Sequence, residues 1–244
     1  MSNDYFQFKQ FTVHQDRCAM KVTTDACLFG AWVAENAKSQ KEKVKNALDI
    51  GGGTGLLSLM FAQKNSSAII DAIEIDDEAC SQAKENVEAS PFAERINVML
   101  GDIKTFPFTK KYDLIISNPP FYEKEIRSSD SKKNIAHHHS GLLLEELLTV
   151  IRKTLSPNGM FFLLLPFKRN EEIRKILLSQ NLFVLKIVFV KQSNKHGYFR
   201  MIIMGKLKQD NESETIIDEI SIWNSQQQYT SEFIDLLKDY YLHL

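Results

Sequence analysis

Cysteine is scarce in this chain: Cys18, Cys27 and Cys80 are the only three in 244 residues. Three widely spaced thiols make neither a disulfide framework nor a CxxC zinc site, and such usage fits a reducing, cytoplasmic compartment. Net charge is scarce as well. The 30 Lys and Arg face 31 Asp and Glu, leaving −1. A neutral total excludes a uniformly basic nucleic-acid coat, though a local basic face is compatible with it. The 10 Gly and 6 Pro are too few for a collagen-like or low-complexity chain. No apolar run reaches the ~18–20 residues of a membrane span, so no membrane role is expected. The opening MSNDYFQFKQ has no apolar segment of the secretory-signal type. No internal repeat is visible. What remains, 43% apolar and 25% charged residues, is the composition of a soluble globular protein with a core.

The pattern along the chain alternates. Short apolar runs at Val44–Ile50, Ala68–Ile75, Ile96–Leu100, Tyr112–Ser117 and Met160–Leu165 read as strands. Helical patterns at Leu56–Gln63, Asp76–Ala89 and Leu142–Leu155 lie between them, the last stopped by a turn at Ser156-Pro157-Asn158-Gly159. Strands spaced by helices mean βαβ units and an α/β fold, a parallel sheet with helices on both faces. Phe183–Lys191 and Tyr198–Lys206 differ, because a short polar segment joins them. They read as an antiparallel hairpin. Before the sheet, Thr24–Ala37 predicts a helix capped by Thr23 or Thr24. After it, Ile216–Trp223 predicts an edge strand and Glu232–Tyr241 a closing helix. One domain is expected over 1–244, with its core at 43–207 and an extension at 208–244.

The first strand runs into Asp49-Ile50-Gly51-Gly52-Gly53-Thr54-Gly55. Glycines at 51, 53 and 55 permit positive φ and let a ligand approach the backbone. A dinucleotide fingerprint needs its third glycine at 56, which is Leu56. The loop therefore fits a ligand without pyrophosphate, such as S-adenosylmethionine. Glu74 ends the second strand about twenty residues on, where a carboxylate can hold a ribose diol. Asp102 follows the third strand and can accept an adenine amine, while Ile103 covers the ring. Asp76 and Asp77 are better explained as a helix cap and first turn.

Ser117-Asn118-Pro119-Pro120-Phe121 follows the fourth strand. An exocyclic amine is a weak nucleophile because its lone pair is delocalised into the ring. Two acceptors on its two protons draw the nitrogen toward sp³. Asn118 Oδ1 is one candidate acceptor, and the carbonyl of Pro119 is the other, with no N–H beside it to compete. Consecutive prolines stiffen the loop, and Phe121 can stack on an extruded base. Asn118, Pro119, Pro120 and Phe121 are the candidate catalytic residues.

In these motifs the chain resembles the class I S-adenosylmethionine-dependent amino-methyltransferases. Within them it is most similar to bacterial tRNA adenine-N6 methyltransferases that modify the purine 3′ of the anticodon in valine tRNA. The resemblance extends to FKQFTVHQDRCAMKVTTDACLFGAW at the start and ISIWNSQQQYTSEFIDLLKDYY at the end. It implies a Rossmann-like, mostly parallel seven-stranded sheet ending in the antiparallel hairpin, with S-adenosylmethionine as cofactor and tRNA as partner. It also implies that residues 1–40 cap the cofactor, through Lys21, Thr24 and Asp25. Asp49, Gly51, Gly53, Gly55, Glu74, Asp102, Ile103 and Asn118 complete the expected cofactor set.

Other features weigh less. Adjacent His137, His138 and His139 cannot all face one ion, so no metal is expected. Lys124, Arg127, Lys132 and Lys133 follow the proline loop, and Lys168 and Arg169 follow the fifth strand. They are candidate RNA contacts, or simply a solvated face. Tyr198 and Phe199 begin a strand and read as core rather than as base-stacking platforms. The three cysteines read as small apolar fillers. The proline motif suits other primary amines equally, in rRNA, DNA adenine or a glutamine side chain. A non-catalytic cofactor-binding RNA module is a further alternative, and no oligomeric state is assigned.

Overall fold

A computed structural model describes residues 3–38, 43–120, 143–208 and 214–244. Phe121, Lys124, Arg127, Lys132, Lys133 and the three histidines lie outside the described residues.

Five strands form the parallel part of one sheet: β3 (Asn46–Ile50), β4 (Ile69–Glu74), β5 (Ile96–Leu100), β6 (Tyr112–Ser117) and β7 (Leu155–Pro166). The hairpin follows as β8 (Phe183–Ser193) and β9 (Tyr198–Lys206), with β10 (Ile216–Trp223) beyond it. The spatial order is β10-β8-β9-β7-β6-β3-β4-β5, so the sheet has eight strands rather than seven. The extra strand is β10, which pairs parallel to β8 from Ile216 opposite Lys186 to Trp223 opposite Ser193. Only β9 runs antiparallel to its neighbours. A separate two-stranded sheet joins β1 (Tyr5–Gln7) to β2 (Thr12–His14).

Strand alternation divides the core between the two faces. Ala47, Ile70, Leu114, Ile116, Phe162 and Leu164 pack with helices α1 (Thr24–Lys38), α2 (Leu56–Lys64) and the C-terminal α6 (Ser231–Leu237). Leu48, Ile50, Ile73, Ile115, Phe161 and Leu163 pack with α4 (Leu144–Thr154) and α5 (Asn170–Ser179). Thr23 caps α1, its Oγ1 accepting from Ala26 N–H at 3.4 Å. Asp76 caps α3 (Asp77–Glu88), accepting from Ala79 N–H at 2.9 Å.

Two expectations about punctuation are corrected. Residues 156–159 do not separate helix from strand. β7 already pairs at Leu155 with Tyr112, and the next partners are Met160 and Leu114. Four residues therefore bulge opposite Asp113, and Gly159 is needed because a Cβ there would lie 2.9 Å from Tyr112 O. The closing helix also ends early, at Leu237. Beyond it the backbone turns back to the N-terminal segment, with Lys9 N–H donating to Tyr240 O at 2.8 Å. Buried Tyr240 and Tyr241 act there as packing residues after the helix.

The parallel strands end together. Ile50 is level with Ile73 and Ser117, and Glu74 with Leu100. From β3 the chain order runs outward in both directions, through β4 on one side and β6 on the other. The carboxyl edge above β3 is thus the switch point where open α/β sheets bind ligands.

Candidate active site

All three alternate glycines have positive φ: 75° at Gly51, 54° at Gly53 and 81° at Gly55. A Cβ on Gly51 would meet nothing within 4 Å, so the backbone there faces open space. Gly51 and Gly52 N–H both donate to Ile73 O, at 2.9 and 3.1 Å. Gly55 closes the turn on Gly52 O at 2.8 Å and starts α2.

Glu74 is buried beside this loop, with Oε2 accepting from Gly53 N–H at 2.8 Å. Its Oε1 accepts from Ile75 and Asp76 N–H at 2.8 and 2.9 Å. Asp49 is fully buried. Its Oδ2 accepts from Ser58 Oγ at 2.7 Å, while its Oδ1 has no partner among the described residues. Burial pushes the Asp49 carboxyl up to about 6, against the opposing Ser58 hydrogen bond. An orphaned acceptor next to an open glycine turn fits a cationic or polar ligand group.

The other edge residues assemble around these. Gly101 N–H donates to Glu74 O at 2.8 Å, which carries Asp102 and buried Ile103 to the same end. Asp102 Oδ1 accepts from Lys104 N–H at 2.9 Å and Oδ2 lies 3.6 Å from Lys104 Nζ. Ser117 Oγ donates to Ile50 O at 2.8 Å, locking the end of β6 to the residue before the glycine loop. Asn118 is half-buried, Pro119 buried and Pro120 exposed. The proline loop and the glycine loop therefore leave adjacent strands side by side.

The N-terminal candidates are placed differently. Asp25 Oδ2 accepts from Arg200 Nε at 2.7 Å, joining α1 to β9 and not to the glycine loop. Thr24 opens α1, and exposed Lys21 donates from Nζ to Asn3 O at 3.4 Å. Arg169 is held by Glu172 through bonds of 2.8 and 2.6 Å, and Lys168 is exposed beside it.

Motif reading missed the residues that hold the N-terminal segment. Asn86 on α3 is buried and fully used. Its Nδ2 donates to His14 O at 2.8 Å and Thr54 O at 2.9 Å, and its Oδ1 accepts from His14 N–H at 2.9 Å. Gln82, one turn earlier, donates to Asp16 Oδ1 at 2.6 Å and accepts from Arg17 N–H at 3.0 Å. Two buried amides on one face of an otherwise amphipathic helix were the available signal. Phe199 is also corrected: expected in the core, it is 37% exposed, because the pairing of β9 with β8 skips it, Arg200 lying opposite Val190 and Tyr198 opposite Lys191. Burial pushes the Cys18 and Cys27 thiols up to about 11 and about 12, so neither is a thiolate nucleophile near neutral pH. No cluster of three metal-ligating side chains occurs among the described residues, nor a helix long and apolar enough to cross a membrane.

Residues 33–176 match the methyltransferase small domain family. The chain is 42% identical to the tRNA1(Val) (adenine(37)-N6)-methyltransferase of Dyadobacter fermentans, over 98% of both chains. It is 39% identical to that of Parabacteroides distasonis over 100% of both. The chain belongs to the tRNA1(Val) (adenine(37)-N6)-methyltransferase family. The likeness to this family runs past both ends of the small-domain match, through the N-terminal segment and the β8–β9 hairpin. Among solved structures the fold is similar to the type I restriction-modification methyltransferase subunit of Streptococcus thermophilus. That match has a TM-score of 0.63 and 15% identity, covering 92% of this chain and 53% of the other. A SAM-dependent methyltransferase from Aquifex aeolicus matches with a TM-score of 0.55 and 14% identity, over 75% and 93%. A tRNA1(Val) (adenine(37)-N6)-methyltransferase family member thus carries the class I architecture, with β10 added at its edge.

Proposed function

We propose that this chain methylates the N6 amine of an adenine in tRNA, with adenine 37 of tRNA1(Val) as the target that its relatives' names give. The observation that carries the reading is the Ser117–Ile50 bond, which sets Asn118-Pro119-Pro120 beside a glycine loop with open space in front of it. S-adenosylmethionine, when bound, supplies an electrophilic sulfonium methyl.

The chain's own residues account for the rest. Gly51, Gly53 and Gly55 would hold the cofactor against bare backbone, with Asp49 Oδ1 accepting from its ammonium. Glu74 would accept from its ribose, Asp102 from its adenine amine, and Ile103 would cover the ring. Lys21, Thr24 and Asp25 would close the N-terminal side, with Asp25 leaving or sharing its bond to Arg200. Asn118 Oδ1 and Pro119 O accept the two protons of the target amine, so its lone pair points away from the ring and toward the methyl. That alignment is the chief contribution, because positioning converts a bimolecular attack into a local one. The target nitrogen would gain the methyl as the sulfonium S–C bond breaks to leave a neutral thioether, and its proton is lost to solvent only as the C–N bond forms, so no strong base is required. Phe121 would stack on the adenine, and Lys124, Arg127, Lys132, Lys133, Lys168 and Arg169 are proposed phosphate contacts. A tRNA substrate implies a cytoplasmic location.

The test is incubation of the purified chain with isotope-labelled S-adenosylmethionine and total tRNA, followed by nucleoside mass spectrometry. Labelled N6-methyladenosine in valine tRNA is the expected result. Parallel incubations with DNA and with protein complete the test: label in either of these with none in tRNA overturns the reading.

A further inference from the structure

The tip of the β8–β9 hairpin stands at the catalytic edge of the sheet. β9 is antiparallel to β7, so its first residues meet the carboxyl end of β7. Ser117 is level with Leu163, and Leu163 with Ile203, whereas Arg200 is level with Pro166. Arg200 therefore lies three residues beyond Ser117 and two strands across, roughly 10 Å in each direction. An RNA loop that places a base at Asn118 spans that distance.

The surface there is aromatic on a rigid base. Phe167, Phe189 and Tyr198 form a mutual cluster with ring centroids 5.0–5.2 Å apart. Phe199, next in sequence to Tyr198, is 37% exposed, with the Arg200 guanidinium 5.8 Å from its ring centre. Exposed Lys195 and His196 form the turn, and His196 Nδ1 is 2.7 Å from Ser193 Oγ.

Charge decides what kind of contact this is. Lys191 is paired with Glu219 at 2.9 Å and Arg200 with Asp25 at 2.7 Å. Two cations of the hairpin are thus already compensated, which does not suit a multivalent phosphate clamp there. An exposed ring with one lysine at the turn suits an unpaired nucleotide: its base face on the ring, its phosphate on the ammonium.

We propose that Phe199 and Lys195 bind the RNA loop that carries the target adenine, Phe199 by stacking on a neighbouring unpaired base and Lys195 by contacting its phosphate. The proposal rests on the tRNA reading above. The experiment compares steady-state methylation of tRNA by the wild type, Phe199→Ala, Phe199→Trp and Lys195→Gln, with cofactor affinity measured alongside by calorimetry. Phe199→Ala is expected to raise KM for tRNA about tenfold with cofactor affinity unchanged, and Phe199→Trp to restore it. Lys195→Gln is expected to flatten the salt dependence of tRNA binding by about one phosphate equivalent. Should Phe199→Ala fail to fold, Phe199→Leu and Lys195→Gln carry the test, with the same rise in KM expected of the leucine variant. An unchanged KM in the alanine or leucine variant, or an unchanged salt slope in Lys195→Gln, overturns the inference while leaving tRNA methylation intact. A wild type that methylates no tRNA overturns both readings together.

Discussion

Gly53 donates its backbone N–H to Glu74 Oε2 at 2.8 Å. The bond ties the turn after β3 to the end of β4, while the other carboxylate oxygen holds the turn into α3. One side chain thereby shapes the loop and leaves one lone pair, on Oε2, for a ribose hydroxyl. In Glu74→Gln an amide N–H would face Gly53 N–H or the Ile75 and Asp76 N–H groups, donor against donor. Cofactor affinity should fall at least about tenfold, with a stability loss of about 1–3 kcal/mol. Calorimetry and urea denaturation measure the two; unchanged affinity would mean the ribose is held elsewhere.

Asp49 connects burial to pH. Its folded pKa of about 6 lies above the ordinary value of 3.8. A raised carboxyl favours the folded state most below pH 4, and that advantage fades as pH rises through about 6. The uncomplexed protein should therefore lose stability across pH 4–6. Asp49→Asn should flatten that loss and gain about 1–2 kcal/mol at pH 7–8. Cofactor affinity should move the other way, rising from pH 5 to 7 in the wild type and staying low and flat in the variant. Thermal melts and calorimetry across pH check both signs.

Asn118 is assigned to the amine and not to the fold. Asn118→Ala should retain nearly full stability and substantial cofactor binding while kcat falls by ~10²–10³. Turnover close to that of the wild type would remove Asn118 from the mechanism.

Asn86 bridges His14 and Thr54 with three hydrogen bonds. Asn86→Ala leaves three backbone groups to find new partners and should cost about 2–4 kcal/mol. The loss should be accompanied by earlier proteolysis before α1 and weaker cofactor binding, because the Thr54 carbonyl lies within the glycine loop. A variant with wild-type cleavage and affinity would show that the segment is held mainly by its aromatic contacts.

Much of the fold is legible in the amino-acid sequence. Strand runs, helix caps and the hairpin follow from local periodicity and turn chemistry, which are properties of neighbouring residues. The glycine turn was legible because positive φ at alternate positions selects glycine. The proline loop was legible because its chemistry sits in four consecutive residues. For the same reason β10 was visible as an edge strand, although its partner β8 and its parallel sense were not.

Tertiary structure decided the pairings between distant parts. Asp25 meets Arg200 across 175 positions, and Asn86 meets His14 across 72. The amides on one face of α3 signal a contact, but nothing local names the partner in either pair. Burial on both sides of α1 and α3 brings these polar groups together and obliges them to bond, because an unpaired buried group is costly. The same global packing turned residues 156–159 from a stop signal into a bulge and left Phe199 at the surface. Local sequence thus determined the elements and the chemistry of the two loops. Long-range packing determined which side chains stand around them.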